Sequence, residues 1–169
     1  MDQDIKDIID QIKSYYAIQS FSLYCINHPG IKNIINQEFD DPNATSVSHR
    51  KDGSEYPILL HPSLKECCDS KNFNLFTLRS IGFAITLVFD EMEKKHLIDS
   101  SPELQFLRHL RNSQAHGNRF YLKGGEPKNP AKFNNKFEIF ASMDGMQNVL
   151  FDFIYPGDIF DLFDHIKKL

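Results

Sequence analysis

Apolar residues recur at helical spacing along most of the chain and predict a mainly α-helical protein. Residues 2–24 carry apolar side chains every three or four positions, which is typical of an amphipathic helix, and the run Asn27-His28-Pro29-Gly30 is expected to end it. A shorter helix is predicted over residues 31–39. Residues 72–97 are apolar nearly all round a helix, which predicts a central helix enclosed by others.

A further helix over residues 103–116 carries strong boundary signals. Ser100 or Ser101 can cap its start, Pro102 suits the first turn, and Glu103 favours the positive end of the helix dipole. Gly117 is well placed to end the helix in a left-handed conformation. Residues 158–168 predict a short terminal amphipathic helix.

Two segments depart from the helical pattern. Residues 40–62 are rich in proline, asparagine and glycine, and we interpret them as a loop or insertion. Residues 137–155 predict a β-hairpin, with the β-prone runs 137–141 and 149–155 joined by a turn at Asp144-Gly145. The whole chain, residues 1–169, is predicted to be one domain: a helical bundle with a small C-terminal hairpin and a terminal helix.

Composition narrows the class of protein. The chain has 169 residues, of which 41% are hydrophobic, so it has enough apolar mass for a core. The longest apolar run, residues 81–89, is shorter than the roughly 20 residues that a bilayer requires, and no membrane span is expected. The start of the chain is acidic, unlike a signal peptide. Of three cysteines, Cys67 and Cys68 are adjacent and are interpreted as packing residues; reduced thiols in the cytoplasm are expected.

The charge is concentrated in one segment. The net charge is −4, but residues 104–123 contain Arg108, Arg111, Arg119 and Lys123 and no acidic residue, so this segment carries +4 and the remainder −8. Such a segment suits a local phosphate-binding site rather than a surface that coats nucleic acid.

Within this segment, Arg111, Asn112 and His116 supply the residue types that cleavage of an RNA phosphodiester requires. An imidazole can move protons at neutral pH, and a guanidinium matches phosphate oxygens. An asparagine one helical turn before the histidine can hold the imidazole or a substrate hydroxyl. The alternative is that these residues form only the solvated face of a bundle helix, because they lie opposite the apolar stripe.

The run Arg-Asn-Ser-Gln-Ala-His-Gly, residues 111–117, resembles the Arg-x4–6-His motif of the HEPN superfamily (higher eukaryotes and prokaryotes nucleotide-binding domains). The resemblance covers residues 72–117, with the motif at the end of a well-capped helix that follows a long buried one. It implies a HEPN-like up-and-down helical bundle that forms a homodimer and brings two motif helices together.

Many members of this family resemble metal-independent endoribonucleases, found as toxins of toxin–antitoxin pairs or in phage defence. The resemblance implies catalytic roles for Arg111 and His116 and a supporting role for Asn112, with RNA or a nucleotide as substrate, an antitoxin protein as a further partner, and no cofactor. The alternative is a non-catalytic module that binds nucleotide, RNA or a partner protein. A subgroup carries a tyrosine two residues after the histidine; here that residue is Asn118.

Three more residues are candidates for substrate binding. Arg108 and Arg119 flank the motif and could contact neighbouring phosphates. His109 lies two turns before His116 on nearly the same side of the helix and is a candidate second acid–base group. A metal pair of these two histidines is not favoured, because no nearby carboxylate or cysteine completes a ligand set.

Overall fold

The computed structural model describes residues 1–38, 43–60, 66 and 70–169. Helices account for 61% of the structure and strands for 11%, which confirms the predicted mainly α class. Cys67 and Cys68 lie outside the described residues, and the interpretation of that pair stays a prediction.

Five α-helices form the framework of the part of the chain that the structure describes. They are α1 (Gln3–Asn27), α2 (Pro29–Glu38), α3 (Ser70–Lys94), α4 (Pro102–Ala115) and α5 (Pro156–Ile166). Each corresponds to a helix that the apolar spacing predicts, with shifts of a few residues at the ends. The terminal helix, α5, begins two residues before its predicted start, because Pro156 occupies its first turn.

The described chain divides into two compact units. The larger unit comprises residues 1–14 and 77–169, and the smaller unit comprises residues 15–76. The core of the larger unit is formed by fully buried apolar side chains from four helices: Ile5 and Ile9 of α1, Ile85 and Met92 of α3, Phe106, Leu107 and Leu110 of α4, and Ile159 and Phe163 of α5.

Ion pairs hold the start of α1 within the larger unit. Lys95, just after α3, bonds the carboxylate of Asp2 at 2.6 Å and also pairs with Asp4. On the other side, Lys167 bonds Asp10 at 2.6 Å. These contacts join both ends of the larger unit's sequence to one core.

The helix α3 is long and apolar enough, by length and composition alone, to cross a membrane over residues 72–94. The shortness of the apolar run 81–89 therefore does not by itself exclude a membrane span, since a helix with scattered polar residues also meets the criterion. The core helix of a protein meets the same criterion, and 39% of an 18-residue stretch of α3 is buried inside the protein, including Ile81, Ile85 and Val88.

The interpretation of residues 40–62 as a loop is wrong for the part that the structure describes. Strand β1 (Thr45–His49) pairs with β2 (Glu55–Leu59) as a regular antiparallel hairpin. Its turn is stabilised by Asp52, whose carboxylate accepts hydrogen bonds from the backbone and hydroxyl of Ser54. Gly53 adopts the left-handed φ of +82° that this turn requires.

The predicted C-terminal hairpin is also misplaced. Strand β3 (Lys132–Phe133) pairs with β4 (Phe137–Glu138), so residue 137 pairs with the chain before it rather than with residues 149–155. Asn134 and Asn135 form the turn with φ of 56° and 52°, the conformation of a tight hairpin turn. Residues 149–153 form a π-helical turn instead of a strand, and Phe151 within it has a positive φ of 91°.

Candidate functional site

The motif lies at the C-terminal end of α4 and in the turn that follows. The helix ends at Ala115, and the backbone N–H of His116 donates to the carbonyl of Asn112 at 3.2 Å. Gly117 ends the helix with φ of +72°, as predicted from its position. Because Leu107 and Leu110 face the core, Arg108, Arg111 and Asn112 occupy the partly exposed side of the helix.

Arg111 is held by an ion pair with α3. Its Nε lies 3.0 Å from Oδ1 of Asp90, and the guanidinium carbon lies 5.9 Å from the centre of the Phe89 ring. The two terminal nitrogens of the guanidinium make no hydrogen bond among the described residues. The Arg111 side chain is 32% exposed, and the ion pair with Asp90 uses only Nε of its five N–H donors.

His116 is exposed and packs against an aromatic ring. The centre of its imidazole lies 4.4 Å from the centre of the Tyr121 ring, at an interplanar angle of 46°. Its side chain makes no hydrogen bond with any part of the chain that the structure describes. The imidazole is therefore positioned by the ring contact and is accessible to a ligand.

Asn112 is half-buried, and its contribution to the turn comes through its backbone carbonyl. Its side chain makes no hydrogen bond to His116 or to another described residue. The structure therefore brings the amide and the imidazole to the same end of α4 without joining them.

The structure does not place His109 with the exposed candidates. The residue is only 4% exposed, and its Nδ1 is buried without a hydrogen-bond partner among the described residues. Burial lowers its pKa; nearby Glu126 opposes this shift and Arg108 adds to it. Residues 109 and 116 share a similar helical angle, but His109 is buried whereas His116 is exposed. A contact between His109 and substrate stays a prediction.

The other two predicted binding residues lie at different places. Arg108 is half-buried, and its Nη1 makes a long contact of 3.4 Å to Oε1 of Gln105. Arg119 is exposed and lies beside Gly145, where an added Cβ would come within 3.2 Å of its Nη2. Among the described residues there is no group of three or more His, Cys, Asp or Glu side chains that could hold a metal ion.

A feature that the sequence reasoning missed begins at residue 119. Phe120 and Leu122 are buried, whereas Arg119, Tyr121 and Lys123 are exposed, and Lys123 begins a short 3-10 helix. Lys123 Nζ lies 4.8 Å from the centre of the Tyr121 ring, and hydrogen bonding to the Tyr121 side chain raises the pKa of Lys123. We call His116, Arg119, Tyr121 and Lys123 the basic strip. The alternation of apolar and polar residues from 119 to 123 is the signal that could have found it.

Asn118 fixes the start of this strip. It is only 7% exposed, and its side chain accepts a hydrogen bond from the N–H of Leu150 at 2.7 Å and donates to the carbonyl of the same residue at 3.2 Å. Its φ of +63° turns the chain away from α4. The sequence shows a polar residue, Asn118, directly after Gly117, but it does not identify the hydrogen-bond partner, Leu150, which lies 32 residues further along the chain.

No family model, curated protein or solved structure matches this chain. The resemblance to the HEPN superfamily accordingly depends on the motif at residues 111–117 and on its helical setting. The geometry of Arg111, His116 and the basic strip is the basis for the functional proposal.

Proposed function

We propose that this protein is a HEPN-like, metal-independent endoribonuclease of the toxin or phage-defence type that acts as a homodimer. One observation carries the proposal: Asp90 binds Nε of the partly exposed Arg111, and His116 is exposed five residues later, just after the end of the same helix. These are the two side chains to which the HEPN resemblance assigns cleavage.

The proposed reaction needs only protein groups. A base takes the proton from a ribose 2′-hydroxyl, whose oxygen then attacks the adjacent phosphorus. An acid donates a proton to the departing 5′-oxygen, so the products are a 2′,3′-cyclic phosphate and a 5′-hydroxyl. Arg111 stabilises the negative charge that develops on the phosphate oxygens, and His116 is the acid–base group.

A single chain does not supply all of these groups from the motif helix. His109 is buried, so α4 and its cap provide one accessible imidazole. Arg111 and His116 are also separated by about 140° around an ideal helix and ~7.5 Å along it. A second copy, related by a two-fold axis, would supply the second imidazole and bring both residue types to one phosphate.

Mixing wild-type chains with the His116→Ala variant tests this arrangement. After subunit exchange at equal amounts, about a quarter of randomly formed dimers contain two wild-type chains. A site that needs both imidazoles therefore retains about a quarter of the wild-type activity, whereas independent sites retain about half. The matched control is His49→Ala, because His49 is an exposed histidine on the β1–β2 hairpin. This variant should leave activity unchanged when it is mixed with wild type in the same way.

A second candidate is a non-catalytic module that binds RNA or nucleotide, or a partner protein such as an antitoxin, through the same surface. The observation that favours it is that both motif side chains have partners within the chain: Arg111 pairs with Asp90, and His116 packs on Tyr121. A binding module retains salt-sensitive RNA affinity in a chelator and produces no cleavage.

A further inference from the structure

The hairpin of β1 and β2 is a two-stranded sheet with neither face buried against the described part of the chain. Every residue of both strands, Thr45–His49 and Glu55–Leu59, is exposed. Large apolar side chains are among them, since Val47 is 45% exposed and Tyr56 is 54% exposed. A two-stranded hairpin without a buried face is only marginally stable in water, so a further strand would stabilise this sheet.

The hydrogen bonds of the hairpin define which backbone groups face its two edges. The N–H of Leu60 donates to the carbonyl of Ala44 at 2.9 Å. At the other end, the N–H of Arg50 donates to the carbonyl of Ser54 at 2.8 Å. Hydrogen-bonded and non-hydrogen-bonded pairs alternate along an antiparallel ladder, so the odd-numbered residues of both strands direct their N–H and C=O groups outwards. Within the described part of the chain, these outward groups of β1 have no hydrogen-bond partner.

The two edges of the hairpin differ in their protection against a further strand. On β2, Pro57 occupies an outward position, so that edge lacks an N–H and carries a ring where an added strand would lie. Glu55 adds a charge to the same edge. Strand β1 reads Thr-Ser-Val-Ser-His and contains no proline, lysine, arginine or acidic residue, which are the residues that protect edges in natural proteins. The edge of β1 is therefore the one that can accept a strand.

We propose that β1 pairs in antiparallel orientation with β1 of a second copy of this chain, with Val47 opposite Val47 of that copy. This register places the outward groups of the two strands opposite one another across a two-fold axis and makes about six backbone hydrogen bonds. The product is a four-stranded sheet in which the two copies of β1 lie between the two copies of β2. Both outer edges then carry Pro57, so pairing ends at two chains.

The side chains fit the same register. Val47 lies opposite Pro57 within the chain, so pairing with a second copy forms an apolar row of four side chains across one face of the sheet. Because the backbone makes the hydrogen bonds, a side-chain substitution such as His49→Ala retains them. The inference goes beyond the proposed function, since it concerns the hairpin and neither the motif nor RNA.

Disulfide cross-linking tests the register directly. Opposite residues of a hydrogen-bonded antiparallel pair have Cα atoms about 5.5 Å apart, a distance that a disulfide spans. Under mild oxidation, Val47→Cys should therefore give disulfide-linked dimers. The matched control is Ser46→Cys, because Ser46 lies on the opposite face and is offset from its counterpart in the second copy. The wild-type chain, which has three cysteines of its own, gives the background.

Sedimentation velocity tests the two edges. Val47→Pro removes an outward N–H without removing a hydrogen bond of the hairpin, and it should weaken self-association by about 10- to 100-fold, whereas Val47→Thr should retain it. Pro57→Val supplies the missing N–H on β2, so this variant should form species larger than a dimer. Thermal unfolding establishes that each variant is folded.

Three results would overturn the inference. The first is cross-linking of Val47→Cys no greater than that of Ser46→Cys or wild type. The second is a wild-type chain that stays monomeric, which would also leave the β1 edge to a partner other than a second copy. The third is Val47→Pro that associates as strongly as Val47→Thr. None of these measurements uses RNA, so a failure of the proposed nuclease function leaves the inference intact.

Discussion

Replacing Asn118 by alanine should strongly destabilise the larger unit. The substitution removes two hydrogen bonds to the backbone of Leu150 and leaves buried N–H and C=O groups without their partner. Losing these bonds in a buried setting costs about 2–4 kcal/mol. Alanine at a φ of +63° adds about 1 kcal/mol, since a Cβ disfavours the left-handed region without a compensating polar side chain.

The expected total is about 3–5 kcal/mol, which corresponds to a fall in Tm of about 10 °C for a chain of this size. Thermal and urea unfolding followed by circular dichroism measure it. Asn135→Ala is the matched control, because Asn135 also has positive φ but is exposed and lacks side-chain hydrogen bonds to any described residue. It should lose only about 1 kcal/mol.

Asn118→Gly separates the two contributions. Glycine accepts the left-handed conformation, so this variant should lose the hydrogen bonds alone, about 2–4 kcal/mol. An Asn118→Ala variant no less stable than Asn135→Ala would refute the reasoning, since the bonds to Leu150 would then contribute nothing measurable.

Three other substitutions test particular contacts. Asp90→Ala should lower the rate of RNA cleavage by about 10- to 100-fold, because Arg111 loses the partner that orients it, and should lower the free energy of unfolding by at most about 1 kcal/mol. Asp90→Asn keeps a hydrogen-bond acceptor and should keep most of the activity. Cleavage kinetics measure the first effect and urea unfolding measures the second. Burial lowers the pKa of His109 below its usual 6.5, so the unfolded chain binds a proton more readily than the folded chain, and Tm should decrease as the pH is lowered from about 7.5 to about 5. His109→Leu should make Tm depend less on pH in this range. An unchanged pH dependence of Tm would contradict the lowered pKa of His109. The hydrogen bond from Lys95 lowers the pKa of Asp2 below 3.8, so this ion pair stabilises the fold above that pH. The difference in Tm between wild type and Lys95→Met should therefore become smaller in more acidic buffer. A difference in Tm that does not change with pH would count against the ion pair.

The helices could be predicted from the sequence because their signals are local. The apolar stripe of α4, Pro102 at its start and Gly117 after its end define that helix without reference to the rest of the chain. The hairpins could not be placed in the same way, since a turn signal does not identify its partner strands. Asp144-Gly145 does form a turn, but the Asp144 carboxylate bonds Leu122, which only the folded chain brings close.

The candidate site was partly predictable for the same reason. The spacing of Arg111 and His116 is a local property of one helix and its cap, and the structure places both at least partly exposed. The pairing of Arg111 with Asp90 joins residues 21 apart on different helices, and the burial of His109 depends on chain that folds over α4. Tyr121 lay outside the motif, and its contact with His116 follows from the turn at Asn118.

The central claim is that His116 cleaves RNA by proton transfer without a metal. The most direct measurement is cleavage of single-stranded RNA by purified protein in excess chelator, comparing wild type with His116→Ala. The account predicts products with 2′,3′-cyclic phosphate and 5′-hydroxyl ends from the wild type, and a rate at least about 100-fold lower for the variant. Equal rates for the two proteins, or no product from either, would contradict it.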